Sequence, residues 1–219
     1  GAQEEGKVVT FKLASIVAAK ADHYEYQAGL MFQKKVEEYS NGKMKAEFYP
    51  ASQLGSSTAI VEGVSVGTIQ MGASIGFDIY ANLDKKCLVI GMPFIFKDYD
   101  HMHAVLEGDN KAIKEIKQSL FDNADVRVMG YFYRPFRSVV TLKKPVYSPA
   151  DLKGLTIRSP ESAANVKWLQ AVGASPVTIT WAELYTSLST GAAQGAENAI
   201  AEFYSSNFQD FVVGASGPI

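Results

Sequence analysis

The sequence alternates between strand-like and helix-like segments over most of its length, and this alternation limits the folds open to it. Predicted strands, which are short runs rich in β-branched and aromatic residues, cover residues 8–16, 43–49, 69–73, 87–90, 126–133, 137–142, 155–157 and 177–179. Predicted helices, with apolar residues at helical spacing, cover residues 24–39, 58–63, 98–120, 163–171 and 182–190. Such an alternation is typical of α/β proteins with mainly parallel sheets.

A chain of 219 residues can form one large domain or two small ones. The break near residues 123–128 separates two strand–helix sets and predicts two α/β lobes, residues 1–125 and 126–219. No flexible linker joins them, so we expect a hinged cleft between the lobes. The net charge of −2 gives no indication of nucleic-acid binding.

The segment from Asp151 to Pro160 contains the first candidate binding residue. Its strand follows a turn at Lys153-Gly154 and ends at Ser159-Pro160, which places Arg158 at the carboxyl end of the strand. Ligands of open α/β sheets bind beyond this end, and a guanidinium group there can hold a carboxylate by two parallel hydrogen bonds. The alternative is an ordinary surface arginine that closes a strand.

Three more residues are candidates for the same site. Arg137 follows an aromatic-rich strand and could hold an anion, or could simply stack on a neighbouring ring. Asn198 could recognise a carboxylate or hydroxyl beside a Glu197 that orders an arginine, although residues 195–198 could also be only a turn. Trp181 opens a helix after a strand and could form a ligand wall or belong to the core.

Other chemistry is weakly indicated. Gly63 to Gly67 matches the nucleophile-elbow pattern around Ser65, which makes a serine hydrolase an alternative, but here the helix precedes the serine and the strand follows it. His101 and His103 diverge on a helix, and Cys87 is the single cysteine, so no metal site is predicted. Glycine-rich phosphate loops are missing, and no cofactor is predicted.

Several motifs in order, none of them specific alone, resemble one family. They are Phe48-Tyr49-Pro50 with Gln53-Leu54-Gly55, Gly67-Thr68-Ile69-Gln70-Met71, Met92-Pro93-Phe94, Phe136-Arg137, residues 151–160, and Gly195-Ala196-Glu197-Asn198. Between about Val8 and Asp210 the chain is similar to the solute-binding receptors of TRAP (tripartite ATP-independent periplasmic) transporters, the dicarboxylate-receptor-like family.

This resemblance implies a two-lobed periplasmic binding protein, not an enzyme, that binds an organic-acid anion and delivers it to the membrane subunits of a TRAP permease. The position of the family's main carboxylate-binding arginine falls on Arg158, and the resemblance places Arg137, Asn198 and Trp181 in the pocket. Loops that line the family's cleft add a further set of candidates: Lys20, His23 and Ser57.

The chain departs from the family pattern in two ways. Ala18-Ala19 and Ala73-Ser74-Ile75 stand where relatives often carry polar pocket residues, which argues against a heavily hydroxylated ligand such as a sialic acid. The chain is also shorter, so we expect it to lack the usual C-terminal elements, which leaves a receptor-derived module without a transport role as a third alternative. Residues 1–6 look like the polar start left after removal of a signal peptide.

Overall fold

The computed structural model describes residues 7–217, so the polar start at residues 1–6 lies outside the described part. The chain divides into two compact units between Ile75 and Gly76. The predicted lobe boundary after residue 125 falls inside the second unit and stays a prediction. Within residues 7–217, no helix is both long enough and apolar enough to cross a membrane.

The first unit contains a parallel three-stranded sheet and two helices. The strands lie in the order β2-β1-β3. They are β1 (Val9–Ala14), β2 (Met44–Tyr49) and β3 (Met71–Gly72), and the helices are α1 (Tyr24–Tyr39) and α2 (Ser57–Ser65). Helix α1 has the predicted bounds, and the chain reverses after it because Asn41 and Gly42 adopt left-handed backbone angles (φ 51° and 75°).

The second unit contains a mixed five-stranded sheet. Its strands are β4 (Arg137–Thr141), β5 (Thr156–Ser159), β6 (Ser175–Thr178), β7 (Gly195–Ala199) and β8 (Gly214–Ala215), in the order β6-β5-β7-β4-β8. Strand β5 pairs in parallel with β6 and β7, whereas β4 runs antiparallel to β7 and β8. The α/β prediction is thus confirmed, with antiparallel pairing on one side of the sheet.

Apolar clusters lie on both faces of this sheet, as expected for a sheet buried between helices. The helices of the unit are α3 (Tyr99–Leu106), α4 (Lys111–Ala124), α5 (Ala163–Ala171), α6 (Trp181–Ser189) and α7 (Ile200–Ser205). One cluster joins Val139 and Ile157 to Leu169 of α5. The other joins Val140 to Leu184 of α6 and Phe203 of α7. Consecutive strand residues therefore enter different cores, which fixes the register.

Three sequence-based expectations are wrong, and one alternative is excluded. Residues 87–90 belong to a 3₁₀ helix (Lys85–Gly91), which Asp84 caps by accepting from the Lys86 amide. The predicted helix over 98–120 is two helices, because Asp98 caps α3 and Asn110 caps a separate α4. Residues 126–133 form no strand. Residues 195–198, where a turn was the alternative, form β7 instead.

Gly195 must remain a glycine because strands β4 and β5 flank it closely. An added Cβ atom would lie 2.5 Å from the carbonyl oxygen of Val140, a backbone atom that cannot give way. We expect Gly195→Ala to lower the free energy of unfolding by about 1–3 kcal/mol, as overpacking does. Gly130→Ala is the matched control, because nothing lies within 4 Å of its added Cβ. Equal denaturant midpoints for the two variants would contradict the prediction.

Candidate functional site

Arg158 lies at the carboxyl end of β5, where the sequence predicted it. The preceding turn uses Gly154 in the left-handed region (φ 74°), and Pro160 follows the last strand residue. Arg158 pairs in register with Val177 of β6 and Ala196 of β7, so two neighbouring strands hold its backbone. A rigid strand, not a loop, therefore positions this guanidinium group.

The guanidinium group of Arg158 is buried without an ion-pair partner. The residue is only 3% exposed, and its single hydrogen bond within residues 7–217 runs from Nε to the carbonyl oxygen of Ile179, at 2.8 Å. No carboxylate of the described residues forms a salt bridge with it. Burial lowers the pKa of Arg158 to about 10. The two terminal nitrogens therefore remain available as charged donors in a poorly hydrated place.

The ring of Trp181 lies beside this charged group. The Cζ atom of Arg158 lies 5.6 Å from the centroid of the Trp181 ring, within the range of a cation–π interaction. Trp181 is the first residue of α6, and its ring also contacts the rings of Phe203 and Phe208, at 6.1 and 5.4 Å. The core alternative for Trp181 is confirmed, because its ring packs against the apolar cluster that contains Phe203 and Phe208, whereas its role as a ligand wall stays a prediction.

Arg137, by contrast, is engaged with Glu197. Its Nε donates to Oε2 of Glu197, and its Nη2 donates to Oε1 at 2.8 Å and to the Glu197 carbonyl oxygen at 3.0 Å. Glu197 is fully buried, whereas the Arg137 side chain is 36% exposed. Burial would lower the pKa of Arg137, but the charge and hydrogen bonds of Glu197 outweigh it and raise the pKa. The sequence expectation that Glu197 orders an arginine is confirmed.

The sheet register places the two arginines on opposite faces. Arg158 lies opposite Ala196 of β7, and Arg137 lies opposite Ala199 of the same strand. Side chains three positions apart on a strand point to opposite faces. Hence Arg137 shares its face with Glu197, and Arg158 shares its face with Asn198. The ligand-binding role of Arg137 stays a prediction. Its guanidinium group already has a carboxylate partner, Glu197.

Asn198 offers a second donor on the face of Arg158. The side chain is 4% exposed, and its Oδ1 accepts from the Ala199 amide at 2.8 Å. Among the described residues, Nδ2 of Asn198 has no acceptor. The structure therefore brings together Arg158, Trp181 and a free amide donor of Asn198.

A hydrogen-bonded chain that the sequence analysis missed also lies in this unit. Nδ2 of Asn165, on the first turn of α5, donates to Oδ2 of Asp78 at 3.1 Å. Nε1 of Trp168 donates to Oδ1 of Asn165 at 2.9 Å. Residues 78 and 165 are 87 positions apart, so no local pattern could have linked them.

The three other candidates belong to the first unit. Lys20 precedes α1 in the loop after β1, and His23 occupies the N-cap position of α1. His23 is fully buried and its ring stacks on that of Tyr24 at 5.4 Å. Ser57, 9% exposed, is the first residue of α2, which Ser56 caps. Their roles in ligand binding stay predictions.

The contacts made by the residues considered for hydrolase or metal chemistry are typical of structural roles. Ser65 is the last residue of α2, so the strand–serine–helix order of a nucleophile elbow is reversed. Nδ1 of His101 accepts a hydrogen bond from the Lys97 amide at 3.1 Å, and Nδ1 of His103 lies 3.6 Å from Oε2 of Glu107. Burial raises the pKa of the Cys87 thiol to about 12, which keeps it protonated. Within the part of the chain that the structure describes, no group of three or more His, Cys, Asp or Glu side chains could hold a metal.

Comparison with known proteins places the chain in a family. Residues 14–213 match the family model "Bacterial extracellular solute-binding protein, family 7". The chain is 34% identical over 184 residues to the 2,3-diketo-L-gulonate-binding periplasmic protein YiaO of Escherichia coli (strain K12), covering 84% of this chain and 55% of that protein. It is 27% identical to the sialic acid-binding periplasmic protein SiaP of Vibrio cholerae, covering 83% of this chain and 56% of SiaP. The chain thus spans little more than half the length of these relatives.

Solved structures show the same relationship. A TRAP periplasmic solute-binding protein of Roseobacter denitrificans with bound L-galactonate matches with a TM-score of 0.86 and 28% identity, over 94% of this chain and 67% of that one. One from Sulfurospirillum deleyianum with bound succinate matches with a TM-score of 0.85 and 26% identity, over 95% and 66% of the two chains. The chain therefore belongs to family 7 of the bacterial extracellular solute-binding proteins, whose members include the solute-binding proteins of TRAP transporters.

Proposed function

We propose that this protein is a periplasmic solute receptor that binds an organic-acid anion and delivers it to the membrane subunits of a TRAP transporter. In this proposal Arg158 grips the ligand carboxylate, Asn198 donates a further hydrogen bond, and Trp181 lines the site. The ligand is bound and released without chemical change.

One observation carries the proposal: Arg158 is a buried charge with unused donors. Moving an ion out of water costs several kcal/mol, and this cost is normally offset by an ion pair and hydrogen bonds. Arg158 has one hydrogen bond and no carboxylate partner among the described residues. A ligand carboxylate would supply both, through the bidentate geometry that favours arginine at such positions.

The relatives support the class of ligand. Those with a stated ligand bind carboxylic acids: 2,3-diketo-L-gulonate, sialic acid, L-galactonate, D-glucuronate and succinate. Their acids share a carboxylate and differ in the rest of the molecule, which fits recognition by one arginine with variable surroundings.

A thermal-shift screen tests the proposal. The unfolding temperature is measured with L-galactonate, D-glucuronate, L-gulonate and succinate. A ligand present at a hundred times its Kd stabilises the native state by about 2.7 kcal/mol. For a protein of this size we expect that ligand to raise the unfolding temperature by roughly 5–10 °C.

Galactitol is the matched control compound, because it keeps the carbon chain and hydroxyl groups of galactonate but has no carboxylate. We expect no shift with it. Stabilisation by galactitol equal to that by galactonate would contradict recognition through the carboxylate, and the absence of a shift with every acid in a broad panel would contradict the receptor function.

A further inference from the structure

The side chain of Ser138 is a buried hydroxyl group without a hydrogen-bond partner. Ser138 is the second residue of β4 and is only 3% exposed. Within residues 7–217, its Oγ atom neither donates nor accepts a hydrogen bond, although side-chain bonds are made at Val139 and Thr141 of the same strand. A buried hydroxyl group normally has a partner, because burying it unpaired is unfavourable. Ser138 is therefore a candidate contact for a ligand.

The hydroxyl group of Thr141, on the same strand, shows the ordinary arrangement. Thr141 is 1% exposed, and its Oγ1 donates to the carbonyl oxygen of Lys144. Burial on β4 therefore does not by itself prevent a hydroxyl group from having a partner. Ser138 and Thr141 lie on opposite faces of the sheet, because residues three positions apart on a strand point in opposite directions. The difference between the two hydroxyl groups is thus a difference between the two faces.

The sheet register places Ser138 on the same face as Arg158. Ser138 lies opposite Asn198 of β7. Arg158 lies opposite Ala196, two residues away on that strand. Paired residues of neighbouring strands share a face, and so do residues two positions apart on one strand. Ala196 also belongs to the apolar cluster against which Trp181 packs. Ser138 therefore lies on the face that carries Arg158 and Trp181.

Ser138 and Asn198 place two unused donors side by side. Directly opposite residues of an antiparallel pair have Cβ atoms about 4.5–5.5 Å apart. Among the described residues, Nδ2 of Asn198 has no acceptor and Oγ of Ser138 has no partner. The unpaired hydroxyl of Tyr131 is sealed from solvent, but neither of these two atoms is sealed in this way. A ligand atom can therefore reach both donors.

The spacing allows one small ligand to contact both Arg158 and this pair. Neighbouring strands lie about 4.8 Å apart and rise about 3.3 Å per residue, which puts the backbone of Ser138 roughly 12 Å from that of Arg158. An arginine side chain and a small organic acid can together cover this distance. An acid whose carboxylate binds Arg158 can then present another oxygen atom to Ser138 and Asn198.

We propose that Ser138 is a ligand-binding residue, which together with Asn198 forms a second polar subsite for an oxygen atom of the acid bound at Arg158. This inference rests on the proposed function, since it assumes that Arg158 binds the ligand carboxylate. The oxygen atom accepts hydrogen bonds from Nδ2 of Asn198 and from the Ser138 hydroxyl. An acid with an apolar chain at this position leaves both donors unpaired and is bound less tightly.

Calorimetry with the four acids of the thermal-shift screen tests the role of Ser138. Ser138→Ala should raise the Kd of L-galactonate, D-glucuronate, L-gulonate or succinate, whichever bind the wild type, by roughly threefold to tenfold, the effect of losing one neutral hydrogen bond. Hexanoate and butyrate are the matched probes, because they keep the carboxylate and the number of carbon atoms and lack other oxygen atoms. Neither should bind Ser138→Ala more weakly than it binds the wild type.

The stability of the ligand-free protein separates ligand binding from a structural role. Because the Ser138 hydroxyl is buried without a partner, Ser138→Ala should unfold at the same temperature as the wild type or higher. Thr141→Val is the matched control. It removes a paired hydroxyl group from the opposite face and should lower the unfolding temperature by roughly 2–4 °C while leaving the affinities unchanged. Ser138→Cys keeps the shape of the side chain with a weaker donor, and should weaken binding as Ser138→Ala does.

The outcomes separate this inference from the proposed function. If an oxygenated acid binds the wild type and both Ser138 variants with equal affinity, Ser138 does not contact the ligand, and the receptor function stands. A fall in the unfolding temperature of ligand-free Ser138→Ala as large as that of Thr141→Val also overturns the inference alone, because the hydroxyl then has a structural role. If none of the four acids binds the wild type, the inference fails, and the receptor function fails with it only when the broad panel also gives no shift.

Discussion

Replacing Arg158 with Met should weaken the binding of an organic-acid ligand by about a hundredfold or more, and the ligand-free protein should unfold at the same temperature or higher. Loss of one partner of a buried charged contact costs about 2–5 kcal/mol of binding free energy. In the ligand-free state, however, the same charge is buried with one hydrogen bond and one aromatic contact, so a methionine of similar length removes an unfavourable desolvation. Calorimetry and thermal unfolding measure the two effects.

The pH dependence of stability gives an independent measurement of this burial cost. Burial lowers the pKa of Arg158 to about 10 in the folded protein, well below its ordinary value, so between the folded and the ordinary pKa the unfolded chain binds more protons. The unfavourable contribution is thus fully present at neutral pH and disappears as the pH rises through this window. We expect the stability difference between Arg158→Met and the wild type to shrink over the same interval.

Arg127→Met is the matched control for both measurements, because Arg127 is exposed and lies over the ring of Phe121. It should change neither ligand affinity nor the pH dependence of stability. A large fall in the unfolding temperature of Arg158→Met would contradict our interpretation and assign Arg158 a structural role.

Replacing Arg137 with Ala should have the opposite pattern and lower the free energy of unfolding by about 3 kcal/mol, because it leaves the fully buried Glu197 without its partner. This corresponds to a fall of roughly 6–12 °C in the unfolding temperature. Glu197→Gln should cost less, about 1–2 kcal/mol, because the amide keeps hydrogen bonds and the partly exposed Arg137 can be hydrated. Chemical denaturation of both variants measures the difference.

The double variant Arg137→Ala with Glu197→Gln completes this comparison. The double variant no longer contains a buried carboxylate without a partner, so we expect it to be more stable than Arg137→Ala alone. Two independent sites would not show such a coupling between their effects on stability. Additive effects of the two changes would mean that the pair contributes little to the fold. Arg137 would then be free to serve as a ligand-binding residue, as the family resemblance implies.

Regular elements with strong local signals were predictable. The predicted helices over 24–39 and 163–171 match α1 and α5 because apolar spacing and caps agree with the tertiary packing. Residues 126–133 carry a strand-like pattern but form no strand, and Tyr131 and Tyr133 instead contact other rings, those of Phe77 and His103 among them. A strand requires a neighbouring strand for its hydrogen bonds, and local composition does not show whether one is available.

The sequence by itself determined the α/β class, the family and the position of Arg158 at a strand end, because these depend on local spacing and on motifs in order. Only the tertiary structure decided which charges are paired. Strand order and register bring Glu197 to Arg137, leave Arg158 beside Asn198 on the opposite face, and join Asp78 to Asn165. The physical reason is that an ion pair or hydrogen bond depends on distances of a few ångströms between residues 60 to 87 positions apart, which chain folding sets and local pattern does not.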